Sequence, residues 1–296
     1  MFSKDTSFFI QSILSGYFNT PVRSLEHTPV GGGSINQAWR LVINHKEQCF
    51  CKINSVARLP LLFETEKNDL QLLAAQQVIR TPAVIACLQQ ADQQILLLEW
   101  VEPGLKTTQS WKSFGEQLAA LHRQTWTVNG TMTFGLPHNN YMGALPQSNT
   151  PGTSWVEFFV EQRLRPQTQL AINKGLLSSK HLQQFEALYR RLPELFPPAA
   201  PALLHGDLWS GNFIIDTSEQ PVLIDPAVYY GHPAMDLAMT TLFGGFDNTF
   251  YEAYHYHSPF PRNYREQWDI CNLYPLLIHL NLFGSGYLRE IEAALG

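Results

Sequence analysis

The sequence predicts an α+β chain in two lobes, β-rich at the N-terminal end and mainly helical beyond it. Three observations carry that expectation. Apolar runs of strand length, AWRLVI (38–43), QCFCKI (48–53) and ILLLEWV (95–101), fall in the first third of the chain. Nearly everything after Pro103 repeats its apolar residues at helical spacing, which sets lobes of 1–103 and 104–296 with the boundary near Glu102 to Lys106. An apolar content of 45% with 12% aromatics over 296 residues is ample for a sizeable core without disulfide or metal staples.

The elements follow in order. GGGS at 31–34 is a turn signal ahead of the first strands, and NHKE joins AWRLVI to QCFCKI as a hairpin. In PLLFETEKNDLQLLAAQQ, Phe63, Leu70, Leu73 and Ala74 recur at helical spacing and define an amphipathic helix. Glu66 falls on the same stripe, and a carboxylate facing a core needs a partner. ILLLEWV reads as a buried strand ended by EPG. WKSFGEQLAALH and TSWVEFFVEQRL read as helices, the second opening with a capping-box pattern from Ser154 to Glu157. FIID (213–216) and PVLID (221–225) read as a hairpin turned by TSEQ.

Charge and cysteine usage exclude several classes. A net charge of −5 with a pI near 6.0 argues against nucleic acid or an anionic membrane as the main partner. Cys49, Cys51, Cys87 and Cys271 lack CxxC spacing, and Cys49 and Cys51 point to one face of a strand where they cannot bridge. They read as reduced packing residues. The N-terminal stretch carries no cleavage-site pattern, and no apolar run reaches the ~18 residues that span a bilayer, so a cytoplasmic protein is expected. The sequon NGT at 129–131 is then idle.

Residues 205–213, HGDLWSGNF, put an acid, small residues and an amide in a loop ahead of the FIID hairpin. Counting back from TSEQ pairs Asp216 with Pro221 and Ile214 with Leu223, which sets Asn212 opposite Asp225. An amide oxygen and a carboxylate beside Asp207 form a hard-oxygen set suited to Mg²⁺. The spacing of His205, Asp207 and Asn212, with Asp225 closing the next hairpin, is that of protein-kinase-like phosphotransferases. The upstream half of that machine stands in the right order: Gly31 to Gly33 in a turn between strands, Lys52 near the end of a strand, and the core-facing Glu66. GGG lacks the GxGxxG spacing and precedes a strand, which argues against Rossmann and Walker A loops and leaves a plain hairpin turn as its rival reading.

The segments GGGSINQAW, FETE, FGEQLAALH, HGDLWSGN, IDPAVYYGHPAMDLAM and YPLLIHLNLFG closely resemble the fructosamine kinase (ketosamine 3-kinase) family along nearly the whole chain. Aminoglycoside, choline and homoserine kinases share HGDxxxxN but not the LWSGN interior or the continuation after IDPA. The resemblance implies an ATP-dependent enzyme that phosphorylates the 3-hydroxyl of ketosamines on small amines or protein lysines, giving a product that sheds its sugar. Many members carry Cys where this chain has Ser34, so a thiol switch at that position is absent here.

Carried onto this sequence, the resemblance makes Asp207 the group that accepts the hydroxyl proton, and Asn212 and Asp225 the Mg²⁺ ligands. Lys52, held by Glu66, contacts the α and β phosphates under a loop of Gly31, Gly32, Gly33 and Ser34. Glu99, Trp100 and Val101 match the hinge, where backbone groups hold adenine. His205 organises the loop. Asp236, just after Pro233 at a helix start, braces that loop or caps the helix, and the resemblance favours bracing. Trp209 either stacks on the sugar or packs within its loop. His255 and His257 in YHYH lack a third ligand at useful spacing and read as loop residues. An aminoglycoside or choline-like acceptor, or a kinase-fold binding module without turnover, are the alternatives. The sugar, the amine, the acceptor pocket and the choice between monomer and assembly are not readable from the sequence.

Overall fold

The computed structural model describes residues 4–31 and 35–296, so the expectations on Gly32, Gly33 and Ser34 lie outside the described residues. The N-terminal lobe opens with α1 (Lys4–Tyr17) and builds one antiparallel sheet from β1 (Leu25–Pro29), β2 (Gln37–Ile43) and β3 (Glu47–Ser55). After α2 (Leu62–Ala75) come β4 (Val84–Gln90) and β5 (Gln93–Glu99), giving the strand order β1-β2-β3-β5-β4. The two-residue period of β3 divides its work between faces. Cys49, Cys51 and Ile53 pack with Ile10 and Leu14 of α1 and with Leu41, Ile95 and Leu97. Both thiols are free and buried. Lys52 therefore points to the other face, where Phe63 and Leu70 of α2 pack with Leu96 and Leu98. Ala74 of the expected stripe is exposed, and Asp69 is buried in its stead.

The second lobe is mainly helical. α3 (Thr108–Leu121) starts at Thr107, whose side chain and that of Ser110 cap each other's backbone. Two small ladders follow, β6 (Thr127–Val128) with β7 (Thr131–Met132), and β8 (Asn140–Met142) with β9 (Leu145–Gln147). The uninterrupted helix expected over 153–164 is instead α4 (Trp155–Phe158) followed by a π-helical turn, Phe159–Leu164, and α5 (Arg165–Asn173). Ser154 accepts from the Glu157 backbone at 3.3 Å, as the capping pattern required. The wide turn directs Arg163 into the core, fully buried, 4.0 Å over Tyr229 and 4.7 Å over Phe158, with a 2.7 Å hydrogen bond to Asn149.

α6 (Ser179–Leu195) leads to β10 (Ala202–Leu204), which pairs with β13 (Tyr229–Gly231) around the hairpin of β11 (Phe213–Ile215) and β12 (Pro221–Leu223). α7 (Ala234–Leu242), α8 (Asn248–His257), α9 (Tyr264–Phe283) and, after a 3₁₀ turn at Ser285–Tyr287, α10 (Leu288–Leu295) complete the chain. α3 crosses α8 at Gly115, where a Cβ would stand 2.3 Å from the Phe250 carbonyl oxygen. His255 and His257 thus lie in the last turn of α8 and not in a loop, since the helix capped by Asp247 runs through YHYH. Among the described residues, no three His, Cys, Asp or Glu are grouped to hold a metal, and no helix is long and apolar enough to cross a membrane.

The hairpin register differs by one residue from the count made on TSEQ. Phe213 pairs with Leu223 and Ile215 with Pro221, so Asn212 lies opposite Ile224, whose N–H donates to the Asn212 carbonyl at 3.1 Å. The turn is shorter than assumed because Gln220 bonds back to Asp216 at 2.9 Å and Glu219 takes φ 60°, the left-handed residue of a three-residue loop.

Candidate active site

Lys52, buried in β3, places Nζ 2.6 Å from Glu66 Oε1 and 2.6 Å from Asp225 Oδ1. One cation thus joins both lobes by serving two carboxylates. Burial works against a charged ammonium here, but the two carboxylates outweigh it and hold the amine above its usual range. Burial pushes Glu66 up to about 7, opposed by Lys52. Asp225 reaches Lys52 despite the register change because it leaves β12 with φ 53°, a left-handed turn that Asp tolerates.

The loop between β10 and β11 is held from beneath. Asp236, fully buried, accepts from the backbone of His205 at 2.8 Å and of Gly206 at 2.9 Å, and lies 3.2 Å from His122 Nε2. Burial alone would raise its carboxyl, but the His122 contact and the backbone donors hold it below the usual range. Gly206 sits at φ 84°, and a Cβ there would stand 2.0 Å from the Ala227 carbonyl oxygen. His205 Nδ1 accepts from the Asp207 N–H at 3.2 Å, which leaves Nε2 as the donor to the Ile224 carbonyl at 2.9 Å. Burial lowers its pKa, keeping the ring neutral.

Asn212 Nδ2 donates at 2.9 Å to both Oδ2 and the carbonyl of Asp207. Its other amide atom, Oδ1, is left as an acceptor, and Asn212 and Asp225 line the same cleft. Two protein oxygens are too few for an all-protein cage, yet they suit a hard cation that keeps waters and phosphate oxygens as its other ligands, so the residues present fit Mg²⁺ with a nucleotide. Burial, then the charge on Asp225, pushes Asp207 up to about 7.

These groups share one cleft of about 390 Å³ lined by Lys52, Glu66, Asp69, Asp207, Trp209, Asn212 and Asp225. Trp209 answers to both readings. Its ring folds over Gly211, where a Cβ would meet it at 2.3 Å, and it also faces the cleft with Phe243 edge-on at 5.7 Å. Of the expected glycine residues only Gly31 is described, and beyond 32–34 Ile35 and Asn36 are tied to Asn54 of β3 at 3.2 and 2.6 Å. At the hinge, the Glu99 carboxylate pairs with Arg80 and accepts from Ala83 N at 3.1 Å. The Glu99 N–H is itself bonded to Ala83 at 2.9 Å. Trp100 packs under the Arg40 guanidinium at 4.7 Å.

Sequence reasoning missed the far wall of the cleft, where Tyr141, Met142 and Gly143 of the β8–β9 turn face Phe243, Ile278, His279 and Phe283. YPLLIHLNLF carries the last three residues at helical spacing, but nothing local says which face meets a cleft. It also missed Asp69, three residues after Glu66 on the same helical face, a spacing that could have revealed it.

A profile of the fructosamine kinase family matches residues 8–296. The chain is 40% identical over 275 residues to a probable ketoamine kinase of Synechocystis sp., spanning 93% of this chain and 90% of the relative. It is 32% identical over 280 residues to the ketosamine-3-kinase of Mus musculus, spanning 87% and 89%. Its backbone matches the crystal structure of a "putative fructosamine-3-kinase" from Haemophilus somnus with a TM-score of 0.86 at 26% identity, over 97% of this chain and 95% of that one. With a match that spans nearly all of its length and two lobes in a protein-kinase-like arrangement, the chain belongs to the fructosamine kinase family.

Proposed function

We propose that this enzyme transfers the γ-phosphoryl group of ATP to the 3-hydroxyl of ketosamines, the fructosamine- or ribulosamine-type adducts of small amines or protein lysines, and so promotes deglycation. The observation that carries the reading is the convergence of Lys52, Glu66, Asp225, Asn212 and Asp207 on one cleft that continues past Trp209 into an aromatic wall. Residues up to Pro103 serve as the nucleotide-binding lobe, and the remainder supplies the catalytic loop and acceptor wall.

Asp207 receives the hydroxyl proton and, more importantly, aims the hydroxyl oxygen, since phosphoryl transfer asks for alignment more than for strong base chemistry. Asn212 steadies the Asp207 carboxylate through its amide, and its oxygen and the Asp225 carboxylate are the groups that would hold Mg²⁺. Mg²⁺ supplies charge neutralisation on the phosphates. Lys52, held by Glu66, adds a fixed cation for the α and β phosphates, with Gly31, Gly32, Gly33 and Ser34 as further nucleotide-binding residues. Backbone groups of Trp100 and Val101, just past Glu99, meet the adenine edge. His205 and Asp236 keep the loop in shape. Trp209 offers its ring to the sugar chain. A cytoplasmic setting suits the free thiols of Cys49, Cys51, Cys87 and Cys271.

ATP turnover against fructosyl and ribulosyl amines, free ketohexose, kanamycin and choline tests the reading, with NMR assigning the phosphorylated carbon. A ketosamine should show the highest kcat/KM and be modified at the 3-hydroxyl, because its amine adds binding contacts remote from the reacting centre. Preference for kanamycin or choline, or equal use of the free sugar, refutes the ketosamine assignment.

A further inference from the structure

Helix α2 carries two buried carboxylates on one face, and the mechanism uses only Glu66. Asp69 is 1% exposed, and its Oδ2 accepts from Asn140 Nδ2 at 2.7 Å and from the Val228 N–H at 3.1 Å, three residues beyond Asp225. Asn140 has every hydrogen-bonding position filled: Nδ2 also donates to the Val228 carbonyl at 2.9 Å, and Oδ1 accepts from Gln147 at 2.8 Å and Asn149 at 2.9 Å. Gln147 in turn donates to the Ala227 carbonyl at 3.2 Å and accepts from the Tyr274 hydroxyl at 2.8 Å. Tyr274 lies one turn before Ile278 on α9, and Asn140 and Gln147 are the paired ends of β8 and β9, whose turn lines the cleft. At that turn a Cβ on Gly143 would stand 3.3 Å from both Ile35 and Leu282, so the tip is wedged between the two lobes.

We propose that Asp69, through Asn140, is a positioning residue that holds α2, and with it the Glu66–Lys52 pair, against the Asp225 segment, and that it couples this pair to occupancy of the acceptor side of the cleft. The second half rests on the ketosamine reading. Asp69 Oδ2 and every polar side-chain atom of Asn140 are paired, and Asp69 Oδ1 alone has no hydrogen-bond partner among the described residues, with His138 Nε2 3.8 Å away. Swinging α2 away would strip Oδ2 of both its donors at once. A ligand that immobilises the β8–β9 turn therefore steadies Glu66 as well. By linkage, acceptor and nucleotide then raise each other's affinity.

The test is titration of the non-hydrolysable nucleotide MgAMP-PNP, alone and with saturating fructosyl-lysine, on wild type, Asp69→Leu, Asp69→Asn and Tyr274→Phe. Wild type should gain at least about fivefold in nucleotide affinity when the acceptor is present. Asp69→Leu should bind MgAMP-PNP about tenfold more weakly and lose the gain. Asp69→Asn keeps an oxygen for both donors and should restore most of both, which a merely steric role for the site would not produce. Tyr274→Phe removes one buried hydroxyl that does not line the cleft and should leave nucleotide affinity alone near wild type while cutting the gain at least twofold. A folded Asp69→Leu protein with wild-type nucleotide affinity overturns the positioning role, and an equal gain in all variants overturns the coupling. If fructosyl-lysine does not bind wild type, the acceptor reading fails, and the nucleotide-only comparison of the Leu and Asn variants still decides the role of Asp69. If Asp69→Leu does not fold, the gain in Tyr274→Phe decides the coupling.

Discussion

Replacing Asp236 with Asn changes almost no volume and removes one acceptor from a fully buried site. The native carboxylate takes the His205 and Gly206 N–H groups on separate oxygens, with His122 Nε2 3.2 Å away. The amide can serve one N–H with its oxygen, and its own N–H₂ then confronts the other. One buried donor left unpaired costs about 1–3 kcal/mol, and the lost charge on the acceptor adds to it, so a loss of roughly 2–4 kcal/mol is expected. For a chain of this size that is a fall in Tm of about 4–8 °C. Turnover should fall further than stability does, by about 10²-fold, because Asp207 hangs from the same two peptides and small misplacements of a catalytic group are costly. The pH dependence carries the sign. The Asp236 carboxyl is held below its usual range, so its contribution is present above the unfolded value near ~4 and is lost as pH falls through the lower folded value. Calorimetry should therefore find the gap between wild type and Asp236→Asn full at neutral pH and closing below about pH 4. Asp247→Ala, which removes an exposed cap on the Thr249 N–H at 2.8 Å, serves as a control that lowers Tm slightly and spares kcat. A variant with wild-type Tm and wild-type kcat at pH 7 would falsify the bracing role.

Four further outcomes are expected. Asp207→Asn should lower kcat by a factor on the order of 10² to 10⁴ with nucleotide affinity kept, measured by coupled turnover and calorimetry; full activity removes Asp207 from its role. The same variant tests the perturbed carboxyl: because burial raises Asp207 to about 7, the metal-free fold loses stability as pH rises from the unfolded value near ~4 to that value and no more above it, so in EDTA Asp207→Asn should melt above wild type at pH 8 and level with it near pH 4. Asp225→Ala should abolish measurable MgATP binding, and unchanged calorimetric affinity contradicts the metal assignment. Trp209→Ala should raise KM for the ketosamine while leaving KM for ATP near wild type, and equal changes in both place the ring in the loop's packing alone.

The legibility of the chain followed the range of the forces involved. Strands β2, β3 and β5 and helices α2 and α3 were readable because a two- or 3.6-residue period is written locally, and Glu66 stood out because a core-facing carboxylate breaks that pattern. The hairpin register was not, because one residue of loop length depends on Glu219 adopting a left-handed conformation that Glu does not advertise. The π turn was missed for a related reason: Arg163 enters the core through contacts with Asn149 and Tyr229, which are distant in sequence. Asp207, Asn212 and Asp225 stood out by their spacing, but the far wall of the cleft is assembled from Phe243 just past α7, from α9 and from the β8–β9 turn, and only tertiary packing brings these together.

The wide turn at Phe159–Leu164 bears on how relatives of this chain should be compared. A π turn amounts to one residue inserted into an α-helix without breaking it. Excising a single residue there would yield a longer regular helix, with every downstream side chain rotated by about 100° relative to those before. The cationic side chain would then leave the aromatic nest around Tyr229, and α5 would present a different stripe to α9. A relative lacking a basic residue at this point should consequently show a one-residue gap in alignment, and grafting across the gap in either direction should scramble the helical lobe even where flanking identity is high.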